Sequence, residues 1–472
     1  MVAGARELAW RSPFMAARRF FFFLPRWLDA ATNMVVPLPP PRDDAASSQD
    51  AAAALLRRSL LADAHGDTLL WGTRPVLGDD ARWALSEDGV TPLGLVSGAA
   101  AAWQAVVAPR LPPGIPYVTA PAGHADVSRL RGAGVGLATW AVVTTSPWGM
   151  NAERNDDPTW WGSDRVGVKA ALELWPPWAA ASRLGRVLYQ ARRLHAAVRD
   201  GRGHVVQLRW RRQLAMHVDK WRGGRESATA TAVAKGGPEL NESVATLGVI
   251  LGVEGAQCLD GRLGNIDVLH SVGVRVLGLS HFHDTPAGGS AAGREQGGLT
   301  PWGRSLLRRA VALGMVVDLA HASTALLTDV LALPAAERPP VMISHTGFSA
   351  LCPSPRNVDD DTVRAVVAAG GVVGVTFFDA GGCVGRDYPP GSPGEGAALF
   401  AAVVDAVVHA VSVAGPRGVV LGSDWDGAVR VAIGPGELER LAAALLERGM
   451  EEAVVEGVMG ENYVDFLQRS LP

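Results

Sequence analysis

Apolar residues along this chain fall into short unbroken runs, separated by longer stretches in which they recur every three or four positions. The short runs are LLADAHGD (60–67), GVGLATWAVVT (134–144), LGVILGVEG (247–255), GVRVLGLSH (273–281), MVVDLAH (315–321), VMISH (341–345), GVVGVTFF (371–378) and GVVLGSD (418–424). A strand with one wet face alternates polar and apolar residues, whereas a parallel strand covered on both faces is apolar throughout. Most of these runs are of the second kind. Between them lie helical patterns such as TPWGRSLLRRAVALG, VDDDTVRAVVAAGG and EGAALFAAVVDAVVHAV, the second with Asp359 and Asp360 where a helix N-terminus favours negative charge. Eight strands alternating with helices predict an α/β chain closed into a (β/α)8 TIM barrel.

The gap between the second and third runs, about residues 146–246, is too long for a single crossover and reads as an insertion after strand 2. It holds LGRVLYQARRLHAAVRD and HVVQLRWRRQLAMHVDKW, both read as helical in part, and the Trp-rich loop NDDPTWWGSDRVGVKAALELWPPW. Basic residues interleaved with aromatics are one pattern for binding RNA. A solvated basic helix face on a decorated connection is the simpler reading.

Residues 1–54 read as a basic, aromatic arm followed by a Pro-rich linker (PLPPPRDDAASSQD, 37–50), ahead of a barrel domain over 55–472. The run Phe20 to Phe23 is far shorter than the ~20 apolar residues that cross a bilayer, and Pro25 and Arg26 interrupt it. It lacks the apolar core and small-residue cleavage site of a secretory signal. Arg18, Arg19 and Arg26 around those phenylalanines and Trp27 suit either a peripheral membrane anchor or an arm packed on the domain. The location expected is cytoplasmic or peripherally membrane-associated.

Composition narrows the class. With 472 residues, 48% apolar and 19% charged, the chain can fill a large globular core. A formal net charge of -3 gives no electrostatic case for nucleic acid. The three cysteines, Cys258, Cys352 and Cys383, have no CxxC spacing, form no disulfide framework and are assigned to packing.

The run ends carry the chemistry. His65 and Asp67 close the first run, Glu254 the third, His281 the fourth, His321 the fifth, His345 the sixth and Asp424 the eighth. An H-x-D pair alone is more often a cap, a turn or a surface accident. Six of eight runs ending in His, Asp or Glu point instead to one site, because barrels build their sites at the C-terminal ends of the strands. Imidazoles mixed with carboxylates make a divalent-metal set suited to zinc, and a carboxylate can bridge two ions about 3.5–4 Å apart.

The stretches DAHGD, GVEGAQCL, GVRVLGLSHFHD, GLTPWGRSLLRRAVALGMVVDLAHAS, VMISHTGFSAL, PRNVDDDTV, GSDWDG and GENYVDFL, in this order over roughly 58–468, resemble the membrane dipeptidase family (renal dipeptidase-like, M19) of the amidohydrolase superfamily. The resemblance implies two divalent ions per chain, zinc foremost. His65 and Asp67 would hold the first, Glu254 would bridge both, and His321 and His345 would hold the second. It also implies that His281 touches the substrate and steadies the oxyanion, and that Arg356 grips the substrate carboxylate. Asp424 would move protons, with Asp426 the second choice. The expected reaction is cleavage of a dipeptide or similar small amide by attack of metal-activated hydroxide on the carbonyl, failing at low pH as the imidazoles protonate.

Departures from the family pattern are Gly66 for Asn, Ala256 for a second Gly, and Phe377 and Phe378 where a substrate-binding tyrosine is common. FHDTPAGGSAAG after His281 resembles a bacterial branch, and His283 within it reads as a loop residue. An N-acyl amino acid or a lactam is the alternative substrate, and a non-catalytic binding barrel the alternative class. A dipeptide-like molecule is the expected partner, with no nucleic acid; a homodimer is the assembly considered.

Overall fold

The computed structural model describes residues 34–35, 38, 46–70, 124–147, 164–172, 175–201, 203–235, 246–378, 381–384, 387–388, 392–427 and 429–472. The arm around Phe20 to Phe23, and residues 155–163 and 173–174 of the Trp-rich stretch, lie outside the described residues.

All eight expected strands form: β1 (Leu61–Gly66), β2 (Val135–Val143), β3 (Leu247–Glu254), β4 (Val274–Gly278), β5 (Val316–Asp318), β6 (Val341–Thr346), β7 (Val372–Val375) and β8 (Val419–Leu421). Each pairs in parallel with the next in chain order. The ring closes between the last strand and the first, where Asp424 N–H bonds the His65 carbonyl (3.1 Å) and Asp67 N–H bonds the Trp425 carbonyl (2.7 Å). This is the TIM barrel that the run pattern predicts.

Every residue of these eight strands is buried, which explains the unbroken apolar runs. Period-two alternation then sorts them. Leu137, Ile250, Val276, Val316, Met342, Val372 and Val420 share an inner cluster, closed by Tyr463 and Phe466 of the C-terminal helix Asn462–Ser470. Val249, Leu251, Val253, Leu277, Val317, Ile343, Val373 and Leu421 belong to the larger cluster under the helices. Continuing the inner parity up β3, β5 and β6 brings Glu254, Asp318 and Ser344 to the mouth of the barrel.

The helix patterns form as Pro301–Leu313, capped by Thr300, Asp360–Ala368, capped by Asp359, and Glu395–Ala414. The last is long and apolar enough by composition to cross a membrane. Here it packs on the barrel through Val403, Val404, Val407 and Ala410.

Three expectations need correcting. The boundary at residue 54 falls inside the helix Ala46–Arg58, whose Ala52, Leu55 and Leu56 join the main core, so residues 46–50 of the linker reading are helical. The Trp-rich stretch, read as a loop, carries the helix Arg165–Leu172 and the start of the helix Pro177–Ala181, whereas HVVQLRWRRQLAMHVDKW is helical in part as read, with Arg211–Lys235 a helix and Val205–Gln207 a strand paired with the start of β3. Cys352 and Cys383 are joined in a disulfide, with Cα atoms 5.4 Å apart, while Cys258 stays free and buried. The thirty-one-residue separation of the pair hides a proximity made only when the loops after β6 and β7 meet.

Candidate metal centre

The strand ladders stop earlier than the apolar runs. Those of β4, β5 and β8 end at Gly278, Asp318 and Leu421, so His281, His321 and Asp424 stand just beyond their strands. His321 (φ 63°), Asp424 (φ 59°) and Asp426 (φ 69°) adopt left-handed backbone. Non-glycine residues pay for that conformation, and such strain concentrates where a side chain must be aimed.

The aim is toward Glu254. His281 Nε2 lies 3.1 Å from Glu254 Oε2. His321 Nε2 lies 3.0 Å from Oε1, and His65 and His345 Nε2 each lie 3.6 Å from that same oxygen. His65 Nε2 also faces Asp67 Oδ1 (3.7 Å) and Asp424 Oδ1 (3.8 Å). The His321 and His345 Nε2 atoms are 3.1 Å apart. Three overlapping groups have ligand atoms within 4.8 Å of one another: His65, Asp67 and Glu254; Glu254, His281 and His321; His65, His345 and Asp424. Glu254 thus stands between both expected ligand sets, and His281 is placed where it could itself serve as a ligand.

These residues fit a cation. His65 Nε2 and Asp67 Oδ1 are buried and have no hydrogen-bond partner, although an unsatisfied buried polar atom is costly. Burial keeps the imidazoles neutral: His65, His321 and His345 are held below the usual histidine range, and His281 is pushed down to about 3. Neutral imidazole is the ligand form. Asp67 and Asp424 are raised well above the carboxylate range, first by burial and then by the Glu254 charge. A divalent ion would reverse that by supplying the missing positive charge.

Arg356 is half-buried and donates through Nη2 to the His345 carbonyl (3.0 Å), with its guanidinium over the Phe378 ring (5.9 Å). Burial lowers its pKa, while Asp424, Glu254 and Asp318 oppose that. Phe378 lies beneath that guanidinium, while Phe377 is buried in the core against Trp425, so neither brings a hydroxyl to this side of the site. His283 has a buried Nε2 without a hydrogen-bond partner, and burial followed by the charge of Arg183 lowers its pKa.

Four supporting residues escaped the sequence reading. Asp318 accepts the N–H groups of Ala320 (3.0 Å) and Ser344 (2.9 Å) and the Ser344 hydroxyl (2.6 Å). Asp63 accepts the N–H (2.8 Å) and hydroxyl (2.7 Å) of Ser423 in the same way. Burial raises both carboxyls, Asp63 to about 7. Their signal was an aspartate inside an apolar run (LADAH, VVDLAH), which must find a partner when buried.

A family model described as membrane dipeptidase (peptidase family M19) matches residues 225–469, which include Glu254, His281, His321, His345, Arg356 and Asp424 but not His65 or Asp67. A dipeptidase of Aspergillus oryzae, aclJ, is 32% identical over 247 residues, 50% of this chain and 55% of that protein. An uncharacterized dipeptidase of Schizosaccharomyces pombe is 33% identical over 227 residues, 46% of this chain and 51% of that one. The chain spans about half the length of these curated relatives. The fold matches a crystal structure of the dipeptidase AC, a family M19 metallopeptidase, with a TM-score of 0.59 and 21% identity over 88% of this chain and 99% of that one. It also matches a Rhodobacter sphaeroides metallopeptidase liganded with a phosphinate mimic of the dipeptide L-Ala-D-Ala, with a TM-score of 0.55 and 21% identity over 88% of this chain and 99% of that one. With its strand-end carboxylates and imidazoles gathered at one mouth, and a family model spanning more than half its length, the chain belongs to the membrane dipeptidase family, peptidase family M19.

Proposed function

We propose that this protein is a binuclear metal-dependent hydrolase that cleaves the amide bond of dipeptides. The observation that carries the reading is the position of Glu254, whose two carboxylate oxygens face four histidine Nε2 atoms within 3.6 Å. His65, Asp67 and Glu254 would hold one ion, and Glu254, His321 and His345 the other. Two divalent ions, zinc foremost, supply polarisation of the amide carbonyl and a water acidified toward neutrality.

The chain does the rest. Asp424, raised by burial and by Glu254, takes the proton of the attacking water and passes it to the departing amine. His281 donates a hydrogen bond to the oxygen that gains charge. Arg356 holds the substrate carboxylate with its planar fork of donors. Phe378 beneath Arg356, in place of a hydroxyl, favours a second reading in which the scissile amide belongs to an N-acyl amino acid.

The test is metal content of protein purified without chelator, followed by a screen of L,L- and L,D-dipeptides and N-acyl amino acids. About two ions per chain and turnover of a dipeptide support the proposal. Failure to take up zinc or manganese would sink it and leave a binding barrel.

A further inference from the structure

We propose that Ser344 is a positioning residue that sets the tautomer of two metal-ligand histidines at once, and that Asp318 dictates the direction in which it does so. The inference rests on the metal-site reading above. Ser344 Oγ lies 2.6 Å from Asp318 Oδ2, 2.8 Å from His345 Nδ1 and 3.3 Å from His65 Nδ1. One hydroxyl on β6 therefore touches an imidazole on its own strand and another on β1, across the barrel mouth.

A hydroxyl has one hydrogen to give and two lone pairs to receive with. Asp318 Oδ1 is engaged by two backbone N–H groups, from Ala320 and Ser344, which fixes the carboxylate plane. Its Oδ2 receives the Ser344 hydrogen. Having spent that hydrogen, Ser344 can only accept from the two rings. Both imidazoles must then carry their proton on Nδ1, which leaves each Nε2 lone pair free for a cation. His65 and His345 stack with ring centroids 3.8 Å apart and 30° between their planes, so one oxygen can reach both Nδ1 atoms.

The backbone around Ser344 is built to hold it there. A Cβ on Gly374 or on Gly422 would collide with the Ser344 carbonyl, so glycine lets β7 and the end of β8 close against this residue. A partner on the remote ring nitrogen is the general device by which proteins orient metal-binding imidazoles. The unusual feature here is a single hydroxyl serving both rings.

Two substitutions separate this role from simple packing. Ser344→Ala removes the acceptor and should weaken zinc binding about 10–100-fold, as loss of an outer partner does. Asp318→Asn is nearly the same shape and retains hydrogen-bonding capacity at both positions, but it reverses one direction. Its oxygen stays with the two backbone N–H groups, so its NH2 donates to Ser344. The serine hydrogen then turns to His345 Nδ1, the nearer ring, and forces the proton onto Nε2. Asp318→Asn should therefore weaken zinc binding more than Ser344→Ala. Ser344→Thr, which keeps the hydroxyl, should restore it.

The direct readout needs no metal. Long-range 1H–15N correlation spectra of the chelated protein, labelled with 15N-histidine and assigned with His65→Gln and His345→Gln, report each tautomer. The expected result is Nδ1–H at both positions in the parent protein and Nε2–H at His345 in Asp318→Asn. Unchanged tautomers in Asp318→Asn, or equal loss of zinc affinity in Asp318→Asn and Ser344→Ala, would overturn the proposal. If the parent chain binds no metal, the metal-site reading fails while the spectra still decide the tautomers.

Discussion

Asp426 accepts the backbone N–H of His124 through Oδ1 at 2.7 Å, and the His124 ring accepts the backbone N–H of Asp426 through Nδ1 at 2.9 Å. This reciprocal pair ties Asp426 to the segment ahead of β2. Asp424, two residues earlier, faces the metal centre instead, with Oδ1 3.8 Å from His65 Nε2. The two carboxylates should therefore part company on substitution. Asp424→Asn should keep the fold and lose about 10²-fold or more in kcat. Asp426→Asn should cost about 1–3 kcal/mol of stability by disturbing a buried hydrogen bond. Thermal melts and kcat on both variants decide; a folded Asp426→Asn with the larger loss of kcat would exchange the roles.

Glu254→Gln keeps the shape of the side chain but replaces one oxygen by an NH2 donor, which cannot ligate a cation. Metal content should fall from about two ions per chain to one or fewer, with the barrel intact by circular dichroism. Retention of both ions with full turnover would remove Glu254 from the bridge.

Arg356 is half-buried, and its position over Phe378 leaves it, among the described residues, as a cation available to a substrate carboxylate on that side. Arg356→Ala should raise KM for dipeptides with a free C-terminus about tenfold or more, since charge-assisted hydrogen bonds contribute about 1.5–3 kcal/mol. C-terminally amidated substrates should be nearly unaffected. Equal losses on both would mean that the guanidinium acts through the His345 carbonyl it bonds.

The pH limit moves from the imidazoles to the carboxylates. Burial already keeps the four histidines neutral below their usual range, so protons on histidine compete little with metal. Asp67 and Asp424 are raised by burial and by Glu254, so in the metal-free protein they hold protons above the ordinary carboxylate range near pH ~4. An ion must displace those protons. Metal affinity should therefore rise with pH above that range until the raised carboxyls ionise on their own. Calorimetric titration with zinc in buffers of different ionisation heat should show proton release at pH values above that range, diminishing as the pH is raised. Binding without proton release would contradict the assignment.

The Cys352–Cys383 disulfide links the loop leading to Arg356 with the loop after β7, and Asn357 bonds both Cys352 and Gly381 through its amide. Closing a loop of this length contributes about 2–4 kcal/mol. Cys383→Ser should lower the denaturation midpoint accordingly and raise KM more than it lowers kcat, because the clamp loop loosens while the ligands stay in place. An unchanged midpoint in oxidised protein would show that the bond contributes little.

Much of this was legible before the fold was known. The strands were readable because a buried parallel strand imposes a local rule, an unbroken apolar run, that needs no knowledge of its neighbours. The residues gathered at the barrel mouth were readable as candidates because polar residues at the ends of such runs break that rule repeatedly. The strand Val205–Gln207 went unread and the helix Ala46–Arg58 was misread for the converse reason. The first is too short to show a period, and the second begins inside a stretch whose composition resembles a linker.

The sequence by itself determined the alternating strands and helices, and the residue types offered at the strand ends, because periodicity and side-chain chemistry are properties of the local chain. Ring closure decided the rest. It set Asp318 and Ser344 beneath His65 and His345, gave Asp426 to His124 and Asp424 to the side of His65, and brought Cys352 to Cys383. Each of these pairings depends on which backbone atoms meet when β8 docks on β1 or two loops cross. No local pattern encodes that distance.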